Sequence, residues 1–363
     1  MKKKVLLIIF SAIIINAKAQ YVSLNADEVN ALKTAINTDK NYAETFAPFL
    51  SRSKQALTET PDPIEKIQSE GLLAGNPAKV ASLAAVEDAG KIYSLALAYR
   101  YSDQKNYLDK ATEFLLAWAK TNKASGNPIN ETKLEDMFTG YDLIRKDIPA
   151  QDRAVIDLWL DSIADAEANS SSALQGRGTA INNWNSHRIK IITLINYTLH
   201  TNKYDKLIIS ELEKQLAINL NPDGTTHDFT ERDAFHYHTY DLEPLVTTCI
   251  VLYRATGKNY FDYQTPNGAS IKKSVDFMTP YMTGEKTHGE FVNSTVPFDI
   301  ARAKNNEKGY AAGTLFNPIN GLYLFSLAAY FDPAYVSIIQ KAAQSNSYFN
   351  WQLAINGVRN KVK

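Results

Sequence analysis

Residues 80–121 decide the architecture: VASLAAVEDAGKIYSLALAYRY over Val80–Tyr101, a short polar turn, then YLDKATEFLLAWAKT over Tyr107–Thr121. In both segments apolar residues recur at spacings of three and four, the period of a helix with one buried face. Two such helices joined by a few polar residues form an antiparallel α-hairpin. The same pattern continues outward in both directions. Upstream, Asp27–Ala56 is helical, and Pro61-Asp62-Pro63 breaks the chain. Downstream, helices are predicted over Leu134–Ile144, Ala150–Ala168, Asn183–Leu199, Leu207–Ile218, Leu245–Ala255, Ile271–Met282, Asn320–Ala329 and Val336–Ala343. Ser170–Gly178 is small and polar and reads as a loop. Strand signal is confined to Thr287–Val292. The expected fold class is all-α, an array of hairpins closed into an (α/α) toroid. An open solenoid is the alternative, but no fixed repeat period is present. No linker divides residues 20–363, so one domain is expected.

The first nineteen residues are read as a signal peptide. Lys2, Lys3 and Lys4 precede the apolar run Val5–Ile15, and Ala17-Lys18-Ala19 supplies a cleavage signature. The run is too short to span a bilayer, and no lipid-anchor cysteine follows it. A periplasmic or secreted protein is expected. Formal charge is zero overall; past the four lysines of the leader, 35 basic residues face 39 acidic ones. No global basic field exists to gather nucleic acid. The one cysteine, Cys249, sits in the apolar run LVTTCIVLY, where a buried free thiol is expected and no disulfide can form.

Against this helical background one stretch stands out: NPDGTTHDFTERDAFHYHTYDLEP, Asn221–Pro244, with three of the six histidines. Pro222-Asp223-Gly224 reads as a turn. The remainder places His227, His236 and His238 among Tyr237, Tyr240, Arg232 and several carboxylates, which supplies acid, base and cation within a few residues. Pro244 cannot sit in a helix interior without losing a hydrogen bond, so either a helix through Tyr237 bends here or a helix starts at Pro244; the second is favoured, with His236–Tyr240 on the segment entering it. A second constellation is NNWNSHR, Asn182–Arg188. Asn183 and His187 share a helix face, although Asn182 or Asn183 can also serve as the N-cap. A third, His288–Ser294 with Asp299 and Arg302, is read chiefly as a structured loop in which Arg302 could meet an anion. Tyr141-Asp142, inside a helix, reads as packing.

Three of these segments resemble the alginate lyase family of polysaccharide lyases: Asp88–Ala119, similar to its helical hairpin; Asn182–Arg188, similar to its Asn/His helix; and Glu231–Val246, similar to its tyrosine-bearing segment. With their spacing they cover roughly residues 80 to 330. The resemblance implies an (α/α) toroid that cleaves a 1,4-linked polyuronate by β-elimination. It implies Tyr237 as catalytic tyrosine, His187 as catalytic histidine, Asn183 as neutraliser of the substrate carboxylate, and Arg232 in the basic part of the motif. Asn185, Trp184, His236, Tyr240, His288 and Arg302 are the candidate substrate contacts. Better-known members place histidine directly after the asparagine; here Trp184, Asn185 and Ser186 intervene, and Asn185 competes for the neutraliser role. The partner implied is an acidic polysaccharide, alginate or glucuronan, acted on by a monomer without metal or cofactor.

The residue types suit that chemistry. The proton at C5 of a uronate is α to a carboxylate, so its removal builds an enolate that needs donors, and a group must protonate the leaving O4. Three rivals remain. A hydrolase needs two carboxylates across a cleft, and Asp228, Glu231, Asp233 and Glu290 are available. A metal enzyme would use His236 and His238 with His227 and Asp228, but residues i and i+2 diverge on a helix. A glycan-binding protein without turnover is the third.

Overall fold

The computed structural model describes residues 20–362. The signal peptide expected over residues 1–19 lies outside them. The helices in chain order are α1 Ala26–Thr38, α2 Lys40–Ala56, α3 Pro77–Ala85, α4 Glu87–Ser102, α5 Lys105–Thr121, α6 Pro128–Glu131, α7 Glu135–Ile144, α8 Ala150–Ala168 and α9 Asn183–Thr198. They continue as α10 Asp205–Asn219, α11 His227–Arg232, α12 Phe235–Thr256, α13 Ile271–Met282, α14 Pro297–Lys304, α15 Leu322–Ala328, α16 Tyr335–Ala342 and α17 Trp351–Lys361. The strand expected over Thr287–Val292 shrinks to Gly289–Glu290, paired antiparallel with Thr314–Leu315. Ser170–Gly178 holds a short 3₁₀ turn, Ser171–Ala173.

The helices form two layers. An inner ring runs α2, α4, α7, α9, α12, α15 and α17, each packed on the next, and α17 returns to α2. Outside it, α5 and α8 cover α4 and α9, α10 lies on α9, and α13 and α16 cover α12 and α15. This is the (α/α) toroid. One apolar core runs from Val22 to Val358 and takes in the free, buried Cys249.

Local sequence explains most boundaries. Asn25 and Glu28 form a capping box on α1. Asn76-Pro77 and Asn127-Pro128 each put a capping asparagine before a first-turn proline. Asn182 caps α9, accepting the Trp184 N–H, which leaves Asn183 inside the helix. Gly257, at φ 74°, ends α12 in the left-handed conformation.

Two predicted boundaries are corrected. The helix expected over Val80–Tyr101 breaks at Val86 into α3 and α4. Beyond the break, the buried Asp88 carboxylate accepts the Trp118 indole N–H at 2.9 Å and the Asp62 N–H at 2.7 Å. The helix expected to start at Pro244 instead runs through it, from Phe235. The carbonyl that Pro244 cannot bond, that of Tyr240, lies beside the His187 imidazole. The polar stretch is therefore largely helical, α11 plus the first turns of α12. Asp233, at φ 49°, makes the reversal between them.

The N-terminal segment closes the ring. Arg254 of α12 donates to the Gln20 and Tyr21 carbonyls and pairs with Glu28 at 2.6 Å. Arg359 of α17 donates to the Val22 carbonyl at 2.8 Å, and Asp142 of α7 accepts the Ser23 N–H at 2.8 Å. Tyr141 and Asp142 thus serve packing, Tyr141 with its hydroxyl on Asp157 at 2.6 Å.

Gly140 is where α7 crosses α4. A Cβ there would stand 3.1 Å from the Tyr93 Cα, a backbone atom that cannot swing aside. Gly140→Ala is expected to lose about 1–3 kcal/mol of stability through overpacking, read as a lower urea midpoint at unchanged slope. An unchanged midpoint would mean that α4 and α7 slide apart freely.

Candidate active site

The N-terminal ends of α9 and α12 meet at one mouth of the ring. Each is held by a buried carboxylate. Asp228 of α11 accepts the Asn183 backbone N–H at 2.7 Å and also its side-chain amide. Glu290 accepts the Phe235 and His236 N–H groups, both at 2.9 Å. Carboxylates in these positions satisfy orphan donors and suit the positive end of a helix. Asp228 remains raised to about 6, because burial outweighs its bonds to Asn183.

Between these helix ends, α3, the turn after α6 and α14 lies a cavity of about 300 Å³. Asn183, Trp184, Arg232, His236, Tyr237, Tyr240 and Arg302 line it, with Ser69, Glu70, Lys79, Lys133, Phe298 and Tyr310. A larger cavity of about 480 Å³ lies by the N-terminal segment, but its Arg254 and Glu28 are consumed by one another. Proton-transfer groups converge in the first of the two.

Tyr237 is its centre. The Arg302 guanidinium donates to the Tyr237 phenol oxygen, and to that of Tyr310 at 3.0 Å. The Tyr310 hydroxyl meets His236 Nε2 at 3.2 Å. Arg232 lies face-on to the Tyr237 ring, 3.8 Å from its centre, and is anchored by Asp299 at 2.6 Å. Burial pushes the Tyr237 phenol above its ordinary value, although Arg232 and Arg302 pull it down. Burial, aided by Arg302 and Arg232, lowers His236 to about 4. At neutral pH the cavity therefore holds a protonated phenol and a neutral imidazole.

The other expected residues are dispersed. His187 is buried behind Tyr240, ring centres 4.3 Å apart, with Nδ1 on the Thr132 hydroxyl at 2.9 Å. Burial and the neighbouring Lys190 and Lys133 hold it well below the usual histidine range. It does not line the cavity: His187 shares the helix face of Asn183 but lies one turn, about 6 Å, further along α9, behind Tyr240. The residue directly after Asn183, Trp184, occupies the wall instead. Asn185 also turns away, its amide on Gln215 at 2.9 Å and its carbonyl on Arg188 at 2.8 Å. His288 packs between Phe229 and Phe235 and bonds the Asp233 carbonyl at 3.0 Å, so it supports the α11–α12 reversal and does not line the cavity. Arg232 backs the tyrosine ring; the cation on the phenol oxygen is Arg302.

The histidines considered for a metal separate too. His238 is wholly buried, between the Thr226 hydroxyl at 3.1 Å and the Ser274 carbonyl at 2.9 Å. Among the described residues no group of three or more His, Cys, Asp or Glu is placed to hold a metal ion. Three of the four carboxylates considered for hydrolysis are engaged elsewhere, Asp228 and Glu290 at helix ends and Asp233 on the Asn293 amide at 2.8 Å, and the fourth, Glu231, is exposed and does not line the cavity. Among the described residues lining the cavity, Glu70 alone carries a carboxylate.

Sequence reasoning missed Tyr310, Lys79, Lys133, Glu70 and Phe298. The helical pattern around Lys79 and Lys133 gives no signal. Tyr310 could have been found: it lies in KGYAAG, where glycines in a polar loop flank an aromatic.

Comparison with known proteins follows the same line. A profile of the alginate lyase family matches residues 26–288. Among solved structures the chain is similar to an alginate lyase from Bacteroides ovatus, at 16% identity and a TM-score of 0.67, over 93% of this chain and 98% of that one. It is similar to alginate lyase A1-III from Sphingomonas species A1 at 18% identity and a TM-score of 0.58, over 87% and 89%. A variant of alginate lyase A1-III complexed with tetrasaccharide gives 18% identity and a TM-score of 0.57, over 86% and 87%. No curated protein matches the chain. These likenesses share the toroid, and among the described residues no helix is long and apolar enough to cross a membrane. Matched by the family profile over most of its length, the chain belongs to the alginate lyase family and is a polysaccharide lyase.

Proposed function

We propose that this lyase cleaves a 1,4-linked polyuronate, alginate or glucuronan, by β-elimination, with Tyr237 as the acid and the His236–Tyr310 pair as the base. The observation that carries the reading is the Arg302 guanidinium on the Tyr237 phenol oxygen, inside a cavity that also holds a neutral imidazole. Arg302 donates, so the phenol keeps its own proton to give. Once that proton has passed to the leaving O4, the same guanidinium and Arg232 beneath the ring stabilise the phenolate. Tyr310, on His236 Nε2, relays the C5 proton to the imidazole. Asn183 meets the substrate carboxylate: Asp228 accepts a hydrogen bond from one of its amide N–H groups and fixes the plane, and the second N–H remains to donate to the enolate. A carboxylate pair for hydrolysis is not what the cavity offers. The Lys2–Ala19 pattern supports export, and we infer that the enzyme acts in the periplasm or outside the cell.

The decisive assay is absorbance in the far ultraviolet, where a lyase product, an unsaturated uronate, is seen and a hydrolysis product is not. Purified protein would be tested on polymannuronate, polyguluronate and glucuronan. Activity on none of them, or cleavage without absorbance, ends this reading.

Tyr237→Phe removes one oxygen and keeps the ring. It is expected to fold normally, bind oligouronate and lose at least about 10²–10⁴ in kcat, the range of a general acid. His236→Ala and Tyr310→Phe should each be severely impaired, and their losses should not add, because they serve one proton path. His187→Ala should be far milder. A dead His187→Ala beside an active His236→Ala would move the base to the other histidine.

Asn183→Ala and Arg302→Ala should lose about 10²–10³ in rate, the usual cost of one donor to a developing oxyanion. Stopped-flow or steady-state rates on the best uronan check this, with Asn185→Ala as the contrast. A full-rate Asn183→Ala beside an impaired Asn185→Ala would reassign the asparagine.

The pH profile follows from the two titrations. A base must be unprotonated, and His236 is lowered to about 4. Thus kcat/KM should fall only as pH drops through that region. The acid must keep its proton, and Tyr237 is raised above the ordinary tyrosine value of about 10, so the alkaline limb should lie beyond it. A broad plateau is expected. An acid limb near the ordinary histidine value of about 6.5 would contradict a neutral His236.

A further inference from the structure

We propose that Lys133 and Lys79 form a second carboxylate-binding subsite, so that the enzyme selects polymers in which consecutive sugars are both uronates. The proposal rests on the reading of the cavity as a polyuronate site and extends it from the sugar that reacts to its neighbour.

Four cations line the cavity, and two are already committed. Arg232 is held by Asp299, and Arg302 by two phenol oxygens. Lys79 and Lys133 are the others. They occupy a different wall, Lys79 on the first turn of α3 and Lys133 in the 3₁₀ turn between α6 and α7. Lys79 donates to the Leu72 carbonyl at 2.9 Å. Among the described residues neither lysine has a carboxylate within ion-pair distance, whereas Lys190 nearby is taken by Glu135. The lining carboxylate, Glu70, is touched by the Asn127 amide at 3.5 Å.

An ammonium that is partly buried and unpaired is costly, and proteins usually supply a partner. Here burial, with Lys79 and Lys190 close by, pulls the Lys133 ammonium below the ordinary lysine value. A bound anion would relieve that cost. The carboxylate at the cleavage point is already served by Asn183 and the arginines around the phenol. The anion that Lys133 and Lys79 await is a second carboxylate, one sugar away, on the same chain. Leu83 and Ile129 beside them give its ring an apolar floor.

The test separates binding from chemistry. In the Tyr237→Phe background, a tetramannuronate and a tetraglucuronate are titrated calorimetrically with and without Lys133→Gln. The proposal expects at least tenfold weaker binding with Lys133→Gln, restoration by Lys133→Arg, and a reduced dependence of Kd on salt. In the otherwise unchanged enzyme, Lys133→Gln and Lys79→Gln should raise KM more than they lower kcat. Wild-type kcat/KM should be at least tenfold lower on a polymer alternating uronate with a neutral sugar. Unchanged Kd in Lys133→Gln, or equal efficiency on the alternating polymer, overturns the subsite. Failure of the lyase reading shows differently: no unsaturated product from any uronan, whatever the titrations give.

Discussion

Asp228 is the constraint on which the site depends. Its carboxylate, wholly buried, bonds both the backbone and the side chain of Asn183 and lies 3.9 Å from Arg232. Two elements, α9 and α11, are thereby fixed to one another by one group. A buried carboxylate is tolerable only when such partners surround it. The neighbouring Asp241 shows the same economy, accepting the Ser186 hydroxyl at 2.6 Å while Gln215 bonds that serine at 3.0 Å. The head of α9 is therefore held by polar bonds on the side away from the cavity, and Asn183 has little freedom to choose its orientation. A preorganised donor of this kind suits a developing enolate better than a mobile one.

Reactivity is set on the other wall by crowding rather than by a single strong base. Two arginines bracket Tyr237, one on its oxygen and one under its ring, yet burial still keeps the phenol protonated. The same arginines, with desolvation of the ring at the cavity wall, favour the neutral form of His236. One environment thus pushes the proposed acid and the proposed base apart, each toward the form that its proposed task requires.

The toroid was legible in the sequence because its helices carry a regular apolar period and are punctuated by ordinary signals, Asn-Pro starts and Gly257 at a stop. α17 was not, since Asn356 and Gly357 dilute its pattern; a Cβ at Gly357 would collide with the Tyr42 hydroxyl of α2. The start of α12 was misread because the rule against interior proline is local, while the packing of α12 on α9 is not. Tyr237, Asn183 and Arg302 were legible as chemistry-bearing residues set among polar neighbours. The base proposed above was not, because His187 and His236 are equally good histidines on paper. Only their places, one behind Tyr240 and one on the cavity wall beside Tyr310, distinguish them. Lys79 and Lys133 are separated by 54 positions and acquire meaning only where α3 and the turn after α6 meet.

Ring closure also governs how the chain must assemble. Hairpins such as α4–α5 join residues near in sequence and can form as local units. The seam cannot: Trp351 bonds the Tyr93 hydroxyl across 258 positions, and Arg359 bonds the Val22 carbonyl across 337. Closing so long a loop carries an entropic cost that local contacts do not, and contacts this distant slow folding. Until α17 docks, α2 and α15 present unpaired apolar faces to solvent. The seam is therefore the step at which a folding chain is most exposed to aggregation.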